Sequence, residues 1–177
     1  MAGSTIDFPA TSALYPELSR YGYADSFSIA LRRKDVESWE LVAAFFRSAP
    51  DWVDALFRLR NRIVALFGLK TGAASPRELD PPYQIGRTIG LFRIIGLTGS
   101  EAILGEDDRH LDFRTSLLLT PDSDGTKLVI STLVNTKNRQ GAAYFAVVKH
   151  FHRLIVPVMA RAMARKIDGR LLLQHCS

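Results

Sequence analysis

The chain has 177 residues, 47% of them apolar and 23% charged, which suits one folded domain with a real core and does not have the composition of a disordered segment. The net charge of +5 permits weak attraction to anions, but Lys and Arg fall in separate groups (Arg32–Lys34, Arg58–Arg62, Arg161–Lys166) without interleaved aromatics, so neither nucleic acid nor a membrane is expected as a partner. No apolar run approaches the roughly 20 residues of a membrane span, no leader pattern opens the chain, and the single cysteine, Cys176, has no partner, so a soluble, cytoplasmic protein without metal or cofactor is expected.

Residues 1–22 carry Ser, Thr and Pro with weak periodicity and read as an extended or partly disordered lead-in. Phe27, Ile29 and Leu31 alternate with Ser26, Ser28 and Ala30, the period of a strand. Ser38 is the expected N-cap of a helix carrying Trp39, Val42, Phe45 and Phe46, which Ala49-Pro50 ends. Pro50 opens a second helix with the stripe Val53, Leu56, Phe57, Ile63, Val64 and Phe67, stopped by Gly68. The stretch 68–84, with Gly72, Pro76, Pro81 and Pro82, reads as a loop able to cover a site.

From about residue 90 the pattern becomes strands: Leu91–Leu97, Ser100–Gly105, His110–Leu119 and Lys127–Thr136. The breaks are Thr98-Gly99, the charged turn Glu106–Arg109 and the Pro121–Gly125 loop, and such short connections imply an antiparallel meander. Gly86, Gly90 and Gly96 precede strands rather than open a helix, so no dinucleotide fingerprint is present. A long helix follows to about Lys166, with Tyr144, Val148, Phe151, Ile155, Val158 and Ala162 on its expected inner face and His150, Arg153, Arg161 and Pro157 opposite. The expected domain is 23–168, with 169–177 a tail. The fold class is α+β, an antiparallel β-meander wrapping a long C-terminal helix, with two short helices after the first strand.

Strand alternation splits the charged segment around 106–114. Leu111, Phe113, Thr115 and Leu117 point one way, and His110, Asp112, Arg114 and Ser116 the other. A simple hairpin pairs 113 near 132, and a simple 106–109 turn sets Glu101 across from Arg114 as an ion pair. As chemistry, Asp112 orients His110, or Arg114 clamps an anion; as structure, the same residues form a solvated ladder. His150 and His152 lie about 200° apart on a helix and do not share a metal. His152, at the rim of the apolar face, is the histidine best placed for a ligand.

Leu104-Gly105-Glu106-Asp107-Asp108-Arg109-His110-Leu111-Asp112-Phe113-Arg114 resembles the signature of an uncharacterised family, domain of unknown function 2867 (DUF2867). Gly141, Ala143, Tyr144, the run Phe151–Val156, Leu59-Arg60-Asn61 and Gly68-Leu69-Lys70 are similar too. The resemblance spans about residues 20–165 and implies a helix-grip fold of the START (SRPBCC) type. It supplies no catalytic residues. The strands read are fewer than such a fold has, which leaves a strand near Tyr83–Thr88 or a reduced sheet.

Three functions are compatible. The first is a cavity between sheet and helix for an apolar or amphipathic small molecule, lined by Phe113, Leu117, Ile130, Val148, Phe151 and Ile155. The second is a cyclase-, isomerase- or hydrolase-type enzyme using His110, Asp112, Arg114 or His152. The third is a protein-interaction or homodimer module.

Overall fold

The computed structural model describes residues 3–50, 52, 80–123 and 125–174. Beyond Pro50 and Trp52, the expected second helix lies outside the described residues, as does the expected loop up to residue 79.

Among the described residues seven strands form one antiparallel sheet in the order β1-β2-β7-β6-β5-β4-β3. They are β1 (Gly3–Thr5), β2 (Tyr23–Leu31), β3 (Thr88–Ile89), β4 (Phe92–Leu97), β5 (Glu101–Asp107), β6 (Leu111–Asp122) and β7 (Gly125–Thr136). β3 to β7 are the expected meander, extended by the short β3 hairpin. The first long strand, β2, pairs with the last, β7, so strands far apart in sequence lie side by side. Two α-helices are described, α1 (Ser38–Arg47) and α2 (Arg139–Gln174), and α2 runs past the expected stop at Lys166 into the segment read as a tail. The α+β class, the antiparallel sheet and the long C-terminal helix agree with the sequence reading and are consistent with a helix-grip-like arrangement.

The stretch read as a lead-in contributes β1 and a 3-10 helix, Tyr15–Arg20. Leu14, with Phe8, Leu18 and Tyr21, packs on Ile103 and Leu133 on the sheet face turned away from α2. Periodicity gave no hint of this, because the segment is held by single anchors. The chief anchor is Glu101, 4% exposed, whose carboxylate accepts hydrogen bonds from Ser12 Oγ at 2.6 Å, from the Ala13 amide at 2.9 Å and from Ser116 Oγ. A buried carboxylate is tolerable only with such donors.

The face toward the helices holds the main core. Phe27, Ile29, Leu117, Leu119, Leu128 and Ile130 meet Ala160, Met163, Ala164 and Ile167 of α2 and Leu41 and Val42 of α1. α1 begins with a capping arrangement in which Glu40 accepts from the Glu37 amide at 3.4 Å. Glu37, not Ser38, is therefore the N-cap; Ser38 sits inside the helix and donates its hydroxyl to the Thr98 carbonyl. Glu40 also receives a two-pronged ion pair from buried Arg33, at 2.7 and 2.9 Å, which ties the end of β2 to α1.

The buried stripe of α2 differs from the expected one. Met159, Ala160, Met163, Ala164 and Ile167 are buried, whereas Phe151 is 44% exposed and Tyr144, Val148, Ile155, Val158 and Ala162 are only half-buried. The inner face is thus rotated by about one residue position, roughly 100°, from the predicted stripe. Ala160 and Ala164 have no bulk to hold the helix off the sheet, and close approach on that side outweighs the larger side chains on the neighbouring arc.

Candidate functional site

Cross-strand register sorts the helix-facing side of the sheet into rows. Ala102, Leu117, Ile130 and Phe27 form one row, and Leu119, Leu128 and Ile29 continue the next, all apolar. Toward the other end the rows become Leu104, Thr115, Thr132 and Asp25, and then Glu106, Phe113, Val134 and Tyr23. The apolar rows lie under the fully buried part of α2. The polar rows face its first half, where Phe145, Val148, His152 and Ile155 are half-buried.

At that junction Tyr23, Asp25 and His152 form a chain. Tyr23 Oη donates to Asp25 Oδ2 at 2.6 Å, and His152 Nε2 lies 3.2 Å from Oδ1 and 3.1 Å from Oδ2. Phe145 packs edge-on against the Tyr23 ring at 5.0 Å, and Lys149 Nζ stands 4.9 Å above it. Burial by itself raises the Asp25 pKa, but the His152 and Tyr23 hydrogen bonds and the nearby Arg153 charge outweigh it and hold the carboxyl below its ordinary value. Burial, followed by the hydrogen bond to Asp25, pushes the Tyr23 phenol up to about 12. An oriented imidazole, a carboxylate and a protonated phenol in one half-open place can bind a polar group or move a proton. Beside them Phe45, Phe46, Phe92 and Phe113 make a run of edge-to-face contacts 5.1–5.6 Å apart, half-buried and next to Glu106.

The sequence-predicted site residues do not converge. His110 is buried at the start of α2. Its Nε2 accepts from Arg109 Nε at 2.7 Å and its Nδ1 lies 3.2 Å from Asn138 Oδ1, so Asp112 does not orient it. Asn138 in turn accepts from the Gly141 amide at 2.9 Å, and a Cβ on Gly141 would come within 2.1 Å of the His110 carbonyl oxygen. His110 is thus a joint between hairpin and helix. Asp112 and Arg114 lie on the sheet face away from α2, as alternation predicted, but with different partners. Arg114 pairs with Asp107 at 2.8 Å, not with Glu101, and Asp112 Oδ1 is 2.6 Å from Lys137 Nζ, a charge contact without good hydrogen-bond alignment. The β5–β6 register places Gly105 opposite Arg114, four residues from the simple-turn expectation, because the hairpin turns at 108–110.

Of the predicted ligand-lining residues, Phe113, Val148 and Ile155 border the polar rows. Leu117 and Ile130 belong to the packed core one row deeper, and Phe151 is on the outside of α2. His152 is the one predicted polar residue at the junction; Asp25 and Tyr23 were missed. Their signal was parity: an acid two residues before Phe27 shares the face of Phe27, Ile29 and Leu31. Elsewhere, a shallow depression lies between α1 and the end of α2, lined by Glu40, Ala43, Ala44, Arg47, Lys166 and Ile167. Its Glu40 is taken up by Arg33 and its Lys166 by the Arg47 carbonyl. Among the described residues no group of three or more His, Cys, Asp or Glu is placed to hold a metal.

A long C-terminal helix packed on one seven-stranded antiparallel sheet, with polar rows at one end, defines an α+β domain. The chain belongs to the family "Protein of unknown function (DUF2867)", whose model matches residues 18–159. None of the curated proteins matches it. Nine chains of solved structures do, among them a crystal structure of a Rhodobacter sphaeroides protein determined by a structural genomics consortium. The match covers 95% of this chain and 99% of that one, with a TM-score of 0.50 and 16% identity, a likeness of fold.

Proposed function

We propose that the chain is a binding domain for a small amphipathic molecule, received between the polar sheet rows and the first half of α2. The observation that carries this reading is the change from apolar to polar rows on one sheet face, at the place where α2 ceases to be fully buried. A few convergent polar groups in an apolar wall suit a small-molecule site. Asp25, His152 and Tyr23 would take the polar end, and Phe113, Val148 and Ile155 the apolar body. Leu117 and Ile130 would form the floor.

The probe is 1-anilinonaphthalene-8-sulfonate, an amphipathic aromatic anion, titrated against the native full chain. Fluorescence enhancement should saturate, and the double substitution D25V/H152L should weaken it on the order of tenfold. Replacing a half-buried charge–hydrogen-bond pair by apolar groups is commonly neutral for stability, so folding should survive. Binding that is unchanged in D25V/H152L, or lost instead in F151S, would sink the proposal. A second reading, an acid–base enzyme, draws on the Asp25–His152–Tyr23 chain alone; turnover abolished by both H152Q and Y23F would favour it.

A further inference from the structure

The outer side of α2 is unlike the rest of the surface. Val147 is 60% exposed, Phe151 44% and Leu154 65%, and helical spacing stacks all three on one ridge. Arg161 and Arg165 continue the same ridge, about 16 Å from Leu154 to Arg165 at the helical rise. Exposed apolar side chains standing together, rather than singly, mark an interaction face.

Charge says what kind of face it is. α2 holds seven Lys and Arg against one acid, Asp168, so the helix carries +6 where the whole chain carries +5. The rest of the protein is therefore close to neutral. Asp168 is spent on the Arg32 and Arg33 amides at 3.0 and 3.2 Å, while Arg161 and Arg165 are exposed and make no ion pair among the described residues. Of the seven, Arg161 and Arg165 lie on the ridge, whereas Lys149 stands over the Tyr23 ring on the sheet side and Lys166 donates to the Arg47 carbonyl.

We propose that this ridge docks peripherally on an anionic lipid surface, with Val147, Phe151 and Leu154 entering the interface and Arg161 and Arg165 meeting headgroup phosphates and carboxylates. An apolar strip with Lys and Arg beside it is the pattern of a helix lying in the interfacial plane. Among the described residues no helix is long and apolar enough to cross a membrane, so the contact is one of surface docking. A convex single-helix ridge suits a lipid surface better than a protein partner, which would have to bring its own groove. The ridge is on the far side of α2 from Asp25, and this inference stands apart from the proposed small-molecule site.

The test is flotation of the full chain with vesicles of phosphatidylcholine alone and of phosphatidylcholine with phosphatidylserine. Flotation with the anionic vesicles only, weakened by raised salt, is expected. V147S/F151S/L154S and R161E/R165E should each reduce it on the order of tenfold or more, with unchanged circular dichroism since all five positions are outward-facing. A tryptophan placed by L154W should shift its emission to the blue on anionic vesicles. Absence of flotation, equal flotation on neutral vesicles, or full binding by both variants would overturn the proposal. So would a dimer that the same substitutions split, which would give the face to a second copy. Binding to polyaspartate without binding to vesicles would give it to an acidic polypeptide.

Discussion

Replacing Glu101 by Ala removes the acceptor of three donors at once. Ser12 Oγ, at 2.6 Å, and Ser116 Oγ lose a charged partner inside the protein, and the Ala13 amide, at 2.9 Å, loses one at a partly buried position. Hydrogen bonds to charged groups contribute about 1.5–3 kcal/mol each, but the three are not additive. The Ser116 and Ser12 hydroxyls can turn, and the Ala13 amide is near water. A loss of about 3–5 kcal/mol is therefore expected, below the simple sum, since the charge itself is removed and only neutral donors are left unpaired. That is a large share of the roughly 5–15 kcal/mol typical of a domain. E101Q keeps an acceptor oxygen and the shape and should cost about 1–2 kcal/mol. Urea unfolding gives both values. Hydrogen exchange should show the amides around Ala13 and Leu14 opening in E101A before those of β6. A loss under about 1 kcal/mol for E101A, or exchange that rises uniformly, would mean that the N-terminal segment is not held by this carboxylate.

L117A, at a position with no exposed surface between Ala102 and Ile130, should lower the unfolding free energy by about 2–5 kcal/mol in the same assay. The same chemical change at two helical glycines should have opposite signs: G141A meets the His110 carbonyl and destabilises, while G169A meets nothing within 4 Å and gains up to about 1 kcal/mol of helix propensity. The Tyr23 phenol, raised in the folded state, favours folding below its unfolded value near 10, and this contribution disappears as pH rises toward about 12; ultraviolet difference titration should lose a tyrosine ionising near that pH in Y23F. Asp25 is lowered, so its contribution is present above the ordinary carboxylate range and lost as pH falls through the lowered value; the acid limb of the stability curve should be shallower in D25N, and parallel curves would refute the assignment.

The sequence reading was accurate where a short period decides and silent where a single contact does. Alternation put Leu111, Phe113 and Leu117 on one face of β6 and Asp112 and Arg114 on the other, although the predicted β6–β7 pairing of 113 with 132 is two residues from the observed Phe113–Val134. A two-residue slip keeps every side chain on its face, so alternation cannot detect it. Ion-pair partners depend on register itself, and there the expectation moved from Glu101–Arg114 to Asp107–Arg114. On α2 the apolar arc is broad enough to hold two stripes. The inner one is marked by Ala160 and Ala164, which weigh little on a hydrophobicity wheel and much in packing. The N-terminal segment has no period, and its place is set by Ser12 finding Glu101 eighty-nine residues away.

The separation of those two stripes bears on where chemistry can sit. Small residues let the second half of α2 lie against the sheet, so the inner face of that half is given to packing. The first half carries Lys149 and His152 on its inner side, and side chains of that length and polarity do not close against a β-sheet unless the sheet answers them. It does so with Tyr23 and Asp25, one row apart on β2, rather than with the charged hairpin that dominates the sequence. His110 and Arg114 are occupied in holding the hairpin to α2 and to Asp107, and are therefore poor reagents. The residues left with both polarity and access are the less conspicuous ones, and a functional search guided by charge density alone would begin on the sheet face turned away from α2.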